Sequence, residues 1–401
     1  MDNLANSRKR SGADENTRPT IPCDERVKLW MRSGGRCAFC NKYLLGDDFF
    51  EYEIPLGEMA HIVGWKDSAR SPRGKDPLPE AERNNADNLL LLCAEHHQII
   101  DKSQLLGDFT VERLREQKRR HEARIEHLTG LNVDQDTAVL RVLGDIRGAP
   151  VEVSREHVRE VVLKHANRYA YFPFAFDRQS VEINLSNLPD PEQLGQAYWE
   201  SGRAVIDQSL TRLADGVRSG DIRHLSVFAL ARIPLLVHLG FRLDDKVPTE
   251  IYQKHRGDQE TWLWSKDAEA VAFEYRLLRD SDTPEHVALL FSVSGTITLD
   301  TLPSDIDERF AVYEVRPRGA TPNRDALRAR ASLEAFTRCY HDCLSHLETV
   351  HKPAREIHVF PAVPPAAAVV IGRGIMRNAQ PALKIYDRGL SGYEYALTVN
   401  A

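Results

Sequence analysis

The sequence has few cysteines, no long apolar run and no dominant charge. Six cysteines in 401 residues are too few for a disulfide framework. The longest apolar run, Phe360–Ile371, holds three prolines and falls short of the roughly 20 residues that span a bilayer. Residues 1–20 are polar and charged without periodicity; they lack the apolar centre of a secretory signal and read as disordered. These absences predict a soluble, cytoplasmic protein with reduced thiols and no membrane partner. A net charge of −6 excludes coating nucleic acid by bulk charge, though not a local basic surface.

What is present divides unevenly along the chain. Residues 21–128 carry most of the chemically suggestive side chains. This segment opens with a short amphipathic helix, Asp24–Arg32, whose Val27, Trp30 and Met31 are expected to share a face. The Pro- and charge-rich stretch Lys66–Arg83 reads as an exposed loop. The apolar run Leu89–Leu92 follows, then a charged helix over Val111–Leu128. Its Arg113, Arg115, Lys118, Arg119, Arg120 and Arg124 suit phosphate tracking. Such helices are more often solvated faces, and the interspersed Glu112, Glu116 and Glu122 point that way. Residues 129–150 read as a connector. From 151 to 401, helical patterns alternate with apolar strand-like runs, which predicts α/β layers with parallel pairing.

Cys37-Ala38-Phe39-Cys40 and Cys93-Ala94-Glu95-His96 are two chelating pairs. Together they supply the four soft or borderline ligands of a tetrahedral structural zinc. A second set lies among them: His61, Asn88 and His97. A zinc knuckle does not need these residues, whereas a hydrolytic site does. It uses an imidazole to deprotonate water, an amide to hold the loop of that base, and a ligand for a divalent ion.

The segments RCAFC, AHIVG and NADNLLLLCAEHHQIID resemble the HNH endonucleases, whose core is a ββα-metal fold. The resemblance covers about residues 30–105 and implies an α+β N-terminal domain. It makes His61 the general base, Asn88 the residue fixing the loop of that base, and His97 a ligand of a catalytic Mg²⁺ or Mn²⁺. A neutral histidine suits the first role, its ordinary pKa being about 6.5. The chain departs from the family pattern in three places. His96 replaces a fourth cysteine, Ala60 stands where a metal-ligating residue often precedes the base, and Gly64 stands where the family has proline. Strand alternation puts Glu58 on the face of Ala60, making Glu58 a substitute ligand.

The second region has no Walker sequence, dinucleotide fingerprint or nucleophile elbow. Its suggestive residues are Gln253, Arg256, Trp262, Trp264, Ser294, Arg373, Lys384 and Tyr386. Tryptophans near an arginine and a glutamine suit base stacking and phosphate pairing; either tryptophan alone is more often core. Cys339 and Cys343 read as buried free thiols. The order of HLSVFALARIPLLVHLG, IYQKHR, WLW, LLFSVSGTI, IHVFPAVPPAAAVVIGR and LKIYD resembles a SAVED domain, an α/β sensor of two fused CARF-like Rossmann units. That resemblance spans residues 150–401.

An HNH domain joined to SAVED resembles the nuclease effectors of bacterial cyclic-oligonucleotide anti-phage signalling (CBASS). It implies a cyclic di- or trinucleotide activator, ligand-driven association into a dimer or tetramer, and degradation of double-stranded DNA. Two other readings stay open: a zinc-knuckle DNA-binding regulator without catalysis, and a restriction-type HNH nuclease that recognises modified DNA.

Overall fold

The computed structural model describes residues 20–401 apart from 48–49, 145–152, 173–181, 189–194, 244, 256–260, 378 and 390–391. The expected disorder of residues 1–20 falls outside it, but for the last residue. The chain forms two compact units, residues 1–131 and 132–401. Among the described residues no helix is long and apolar enough to cross a membrane.

The first unit contains α1 (Cys23–Arg32), β1 (Leu45–Asp47), β2 (Phe50–Pro55), β3 (Glu58–His61), β4 (Leu89–Leu92), α2 (Ala94–Ile100) and α3 (Val111–Thr129). β3 and β4 pair antiparallel, with His61 opposite Leu89 and Glu58 opposite Leu92. All four leucines of β4 are buried, so this strand is the floor on which α1 and α2 pack. α1 docks through Leu29, while Val27 and Met31 face solvent. Of the three residues expected to share a face, Trp30 packs against this core beside Leu29 and Val27 and Met31 do not; the helix is set by its contacts with β4, α3 and the Ala86–Asn88 turn.

α3 corrects a second expectation. Val111, Leu114, Lys118, His121 and Ile125 are buried, at the spacing of one helical face. The Lys118 ammonium donates to the Leu89 carbonyl (2.9 Å) and pairs with Glu122. Burial holds its pKa below the ordinary lysine value despite Glu122. Arg119 pairs with Glu116, Arg120 donates to Gln117, and Arg124 reaches Asn41. The helix serves the packing of its own unit.

The second unit is built from two halves. In the first, β5 (Asp136–Leu143), β6 (Tyr169–Tyr171), β7 (Glu182–Asn184), β8 (Leu225–Leu230) and β9 (Thr249–Tyr252) form a wholly parallel sheet. It is flanked by α4 (Arg155–Ala166), α5 (Gln196–Ser219) and α6 (Ile233–Leu243). In the second half the sheet order is β10 (Phe273–Arg279), β12 (Ala311–Pro317), β11 (Val287–Ser292), β13 (Glu356–Ala362), β14 (Ala382–Arg388) and β15 (Tyr393–Val399). Its four central strands are parallel and its two edges antiparallel. α7 (Arg330–Val350) and α8 (Pro365–Arg373) complete it. Parallel α/β pairing was expected. The connector was not so simple: residues 136–143, assigned to it, are the buried middle of the first sheet, and the unit boundary lies at 131/132.

One apolar core runs through both halves, from Ala138 and Val227 to Phe291 and Ile357. It is continuous because α6 and α8 touch backbone to backbone. A Cβ on Gly240 would sit 2.0 Å from the Val369 carbonyl oxygen, and one on Gly372 would sit 1.8 Å from that of Val237. The two contacts repeat with the same three-residue spacing on each helix, a local two-fold relation between the halves. Gly372→Ala forces the helices apart. It is expected to destabilise this unit by about 3 kcal/mol or more, read as a lowered thermal midpoint. An unchanged midpoint would show that the crossing yields.

Candidate functional site

The two chelating pairs converge. Cys37 and Cys40 lie after α1, Cys93 caps α2, and His96 stands one turn in. Their ligand atoms all lie within 4.8 Å of one another. Cys40 Sγ is 3.9 Å from Cys93 Sγ, Cys37 Sγ is 3.9 Å from His96 Nδ1, and Cys93 Sγ is 3.1 Å from the same nitrogen. Tetrahedral Zn–S bonds of about 2.3 Å put two sulfurs about 3.8 Å apart, so the cluster has the size and donor chemistry of a zinc site. Phe39 stacks on the His96 ring with centroids 5.5 Å apart. Burial pushes the Cys93 thiol up to about 11, helped by neighbouring Cys37. Cys37 is also pushed up by burial, but hydrogen bonds from the Cys40 and Cys93 backbone bring it below the ordinary value.

The second set lies along β3, with His61 and Asn88 at its carboxyl end and His97 against Glu58 at its start. His61 and Asn88 are both buried. The Asn88 side chain holds Val63 by both backbone groups, accepting from its N–H (2.9 Å) and donating to its carbonyl (2.8 Å), and it donates to the Arg83 carbonyl (2.9 Å). An amide can do this because it carries both donor and acceptor. His61 Nε2 lies 2.8 Å from Asn84 Oδ1. On α2, His97 Nδ1 meets the Glu58 carboxylate, while Nε2 faces Asp101 at 3.7 Å. Glu58 thus reaches the residue it was expected to assist. A nitrogen with a carboxylate beside it suits a divalent ion, and a carboxylate behind the ring suits its orientation.

Asn84 and Arg73 escaped sequence reasoning here, and Asp101 was expected only to cap or support the helix of His97. Asn84 touches His61. Asp101 faces His97; its signal was the i, i+4 spacing of the two on one helix face. Arg73 spans both. The stretch Lys66–Arg83, expected to be an exposed loop, is organised around two arginines. Arg83 is fully buried and donates to the carbonyls of Gly64, Gly74, Asp76 and Leu78. The loop also explains Gly64. Its N–H donates to the Pro72 carbonyl (2.9 Å) and a Cβ would strike Ser71 Oγ at 2.1 Å, so neither condition admits proline.

The sensor candidates do not meet at one place. Arg256 lies outside the described residues. Trp262 is core, edge-on to Phe228. Tyr386 is buried, stacked on Phe360 and bonded through its hydroxyl to His358. Lys384 stands over the Tyr395 ring, and with Tyr386 lines an open cavity of about 550 Å³. Arg373 donates to the Val247 carbonyl and lines a separate cavity of about 740 Å³. Gln253 and Ser294 follow the carboxyl ends of β9 and β11. Gln253 accepts from the Ala366 N–H at the start of α8 (3.0 Å), about 10 Å along that helix from Arg373 at 1.5 Å per residue. Trp264 packs edge-on to His255, and Trp264 Nε1 and His255 Nε2 are both buried without a partner. Burial, reinforced by the Arg328 charge, brings the His255 pKa down to about 4. Cys339 and Cys343 are buried free thiols, as expected.

Comparison with known families assigns both units. The family described as HNH endonuclease matches residues 37–106. The family described as "SMODS-associated and fused to various effectors sensor domain" (SAVED) matches residues 206–399. The chain joins an HNH endonuclease domain to a SAVED sensor domain. The HNH match contains the zinc-like cluster, His61, Asn88 and His97. The SAVED match begins inside α5, so the fold unit extends some 70 residues before it.

Similar solved structures include the Acinetobacter baumannii Cap4 SAVED/CARF-domain containing receptor with the cyclic trinucleotide 3′3′3′-cAAA, at 15% identity and TM-score 0.44, covering 74% of this chain and 61% of that one. The Moraxella osloensis Cap4 receptor is similar at 14% identity and TM-score 0.39, covering 74% and 59%. The chain spans about 60% of the length of these structures. A comparison with curated proteins finds no match.

Proposed function

We propose that this HNH–SAVED chain is a bacterial cytoplasmic effector of anti-phage defence: a DNA endonuclease switched on by a cyclic di- or trinucleotide. One observation carries the reading: an HNH domain match that contains His61, Asn88 and His97 shares a chain with a SAVED sensor. In this reading Cys37, Cys40, Cys93 and His96 hold a structural zinc, and His97 with Glu58 holds Mg²⁺ or Mn²⁺. Bound there, the divalent ion supplies positive charge to the scissile phosphate and its leaving oxygen. His61 takes a proton from the attacking water as its oxygen bonds to phosphorus. The 3′ oxygen leaves, giving 5′-phosphate and 3′-hydroxyl ends. Asn88, holding both backbone groups of Val63, keeps the peptide after the base from moving.

The sensor reading draws on the two buried, unpartnered nitrogens of His255 and Trp264 beside Gln253 and the start of α8. Buried polar atoms without partners are rare in native proteins, and these lie where α/β sheets place ligands, beyond the carboxyl ends of the strands. Residues 21–128 carry no excess of basic over acidic side chains, which leaves weak intrinsic grip on phosphate. Ligand-driven association would add avidity on one duplex without new contacts.

The test is plasmid cleavage with Mg²⁺ or Mn²⁺ against a panel of cyclic di- and trinucleotides, with molecular mass followed by light scattering. One member is expected to raise both cleavage and mass. Cutting that ignores every ligand removes the sensor from the account; cutting by a ligand-saturated monomer removes association.

A further inference from the structure

In the nuclease unit one guanidinium joins the strand of the base to the helix of the metal-binding histidine. Arg73 has a φ of 52°, in the left-handed region that costs a non-glycine residue about 1 kcal/mol or more. Such a conformation persists where the surroundings over-determine it, and the side chain, 5% exposed, shows how. Its Nε donates to the Ile62 carbonyl (2.7 Å) and Nη2 to that of His61 (3.2 Å). Its Nη1 donates to the Ile100 carbonyl at the end of α2 (2.7 Å), and Nη2 to Asp101 Oδ1 (2.6 Å). The other oxygen of Asp101 faces His97 Nε2 at 3.7 Å, and Glu58 occupies the opposite edge of that ring.

We propose that Arg73, acting through Asp101, is a positioning residue of the nuclease. It fixes the backbone of His61 and the ring of His97 relative to each other, so that the Nδ1 edge of His97 is presented with Glu58 to a divalent ion. This rests on the reading that His61 and His97 form the nuclease centre. A planar fork with four acceptors on two segments admits one geometry; a lysine ammonium cannot span them. Arg83 provides the contrast within the same loop. It is as deeply buried, but it binds only carbonyls between Gly64 and Leu78 and reaches neither His61 nor His97. Its role is to hold the loop.

The experiment uses full-length, zinc-loaded Arg73→Lys, Arg83→Lys and His97→Ala, each checked for zinc content and thermal midpoint. Mn²⁺ binding is measured by calorimetry without nucleotide. Plasmid cleavage is measured with the cyclic-nucleotide panel present. Arg73→Lys is expected to weaken Mn²⁺ binding about tenfold and lower kcat about 100-fold, with KM for DNA unchanged. Arg83→Lys is expected to lower the midpoint and leave Mn²⁺ affinity intact. Wild-type Mn²⁺ affinity in Arg73→Lys, or a loss matched by Arg83→Lys at equal midpoint, overturns the positioning role. His97→Ala separates the two layers: if it still binds Mn²⁺ as wild type, the assignment of the centre fails, and the inference falls with it.

Discussion

His61→Ala is expected to lower plasmid cleavage about 1,000-fold, within the 10²–10⁴ range for loss of a general base, while zinc content and the thermal midpoint of the nuclease unit stay near wild type. The reason for this separation is geometric. What the fold uses of His61 is its backbone: it pairs with Leu89 across the sheet and its carbonyl accepts from Arg73. Alanine keeps both. The ring lies against Asn84 at the loop, and its removal takes away the group that accepts the proton from water. The measurement is single-turnover cleavage at saturating Mn²⁺ and activator. A variant that cuts within tenfold of wild type would transfer the role of base elsewhere. Loss of zinc along with activity would mean that the ring is structural. The same variant separates the nuclease from a DNA-binding regulator, whose function would survive the change.

The parts legible in the sequence were those whose chemistry is local. A chelating pair needs two ligands three residues apart, so Cys37, Cys40, Cys93 and His96 announced the cluster that the fold closes. Asn88 and His97 were legible through motif spacing. Arg73 and Arg83 were not. Arginines in a loop rich in proline and charge read as solvated, and nothing local reveals that their partners are carbonyls buried by the fold. β5 was missed because a strand buried on both faces loses the alternation that marks a strand. α6 and α8 were missed for the complementary reason. They are apolar on all sides, since each is enclosed by the core and by the other, and the prolines of Phe360–Ile371 concealed that this run is a strand followed by a helix. The sensor residues failed for a third reason. A pocket at the ends of parallel strands is assembled from distant segments, which no local spacing reveals; Trp262 and Trp264, two residues apart, are both buried, in different core clusters.

Zinc removal is expected to unfold the nuclease unit and leave the sensor unit folded. The four ligands close a small core, in which Cys37 and Cys93 are themselves buried with Leu29, Ala60, Leu89 and Leu91. They tie the turn after α1 to the start of α2, the helix that carries His97. Structural zinc contributes about 10–16 kcal/mol of apparent binding free energy in zinc-finger peptides. A whole domain is stable by only about 5–15 kcal/mol, so a unit that loses its ion has little left. The expected result is one zinc per chain by metal analysis and two calorimetric transitions. A strong chelator or Cys93→Ser erases the first and spares the second, which belongs to the core shared by the two α/β halves. His96→Cys should keep both transitions, because zinc accepts four thiolates as readily as three and an imidazole. A chelated protein that retains both would show that the cluster holds its shape without the ion.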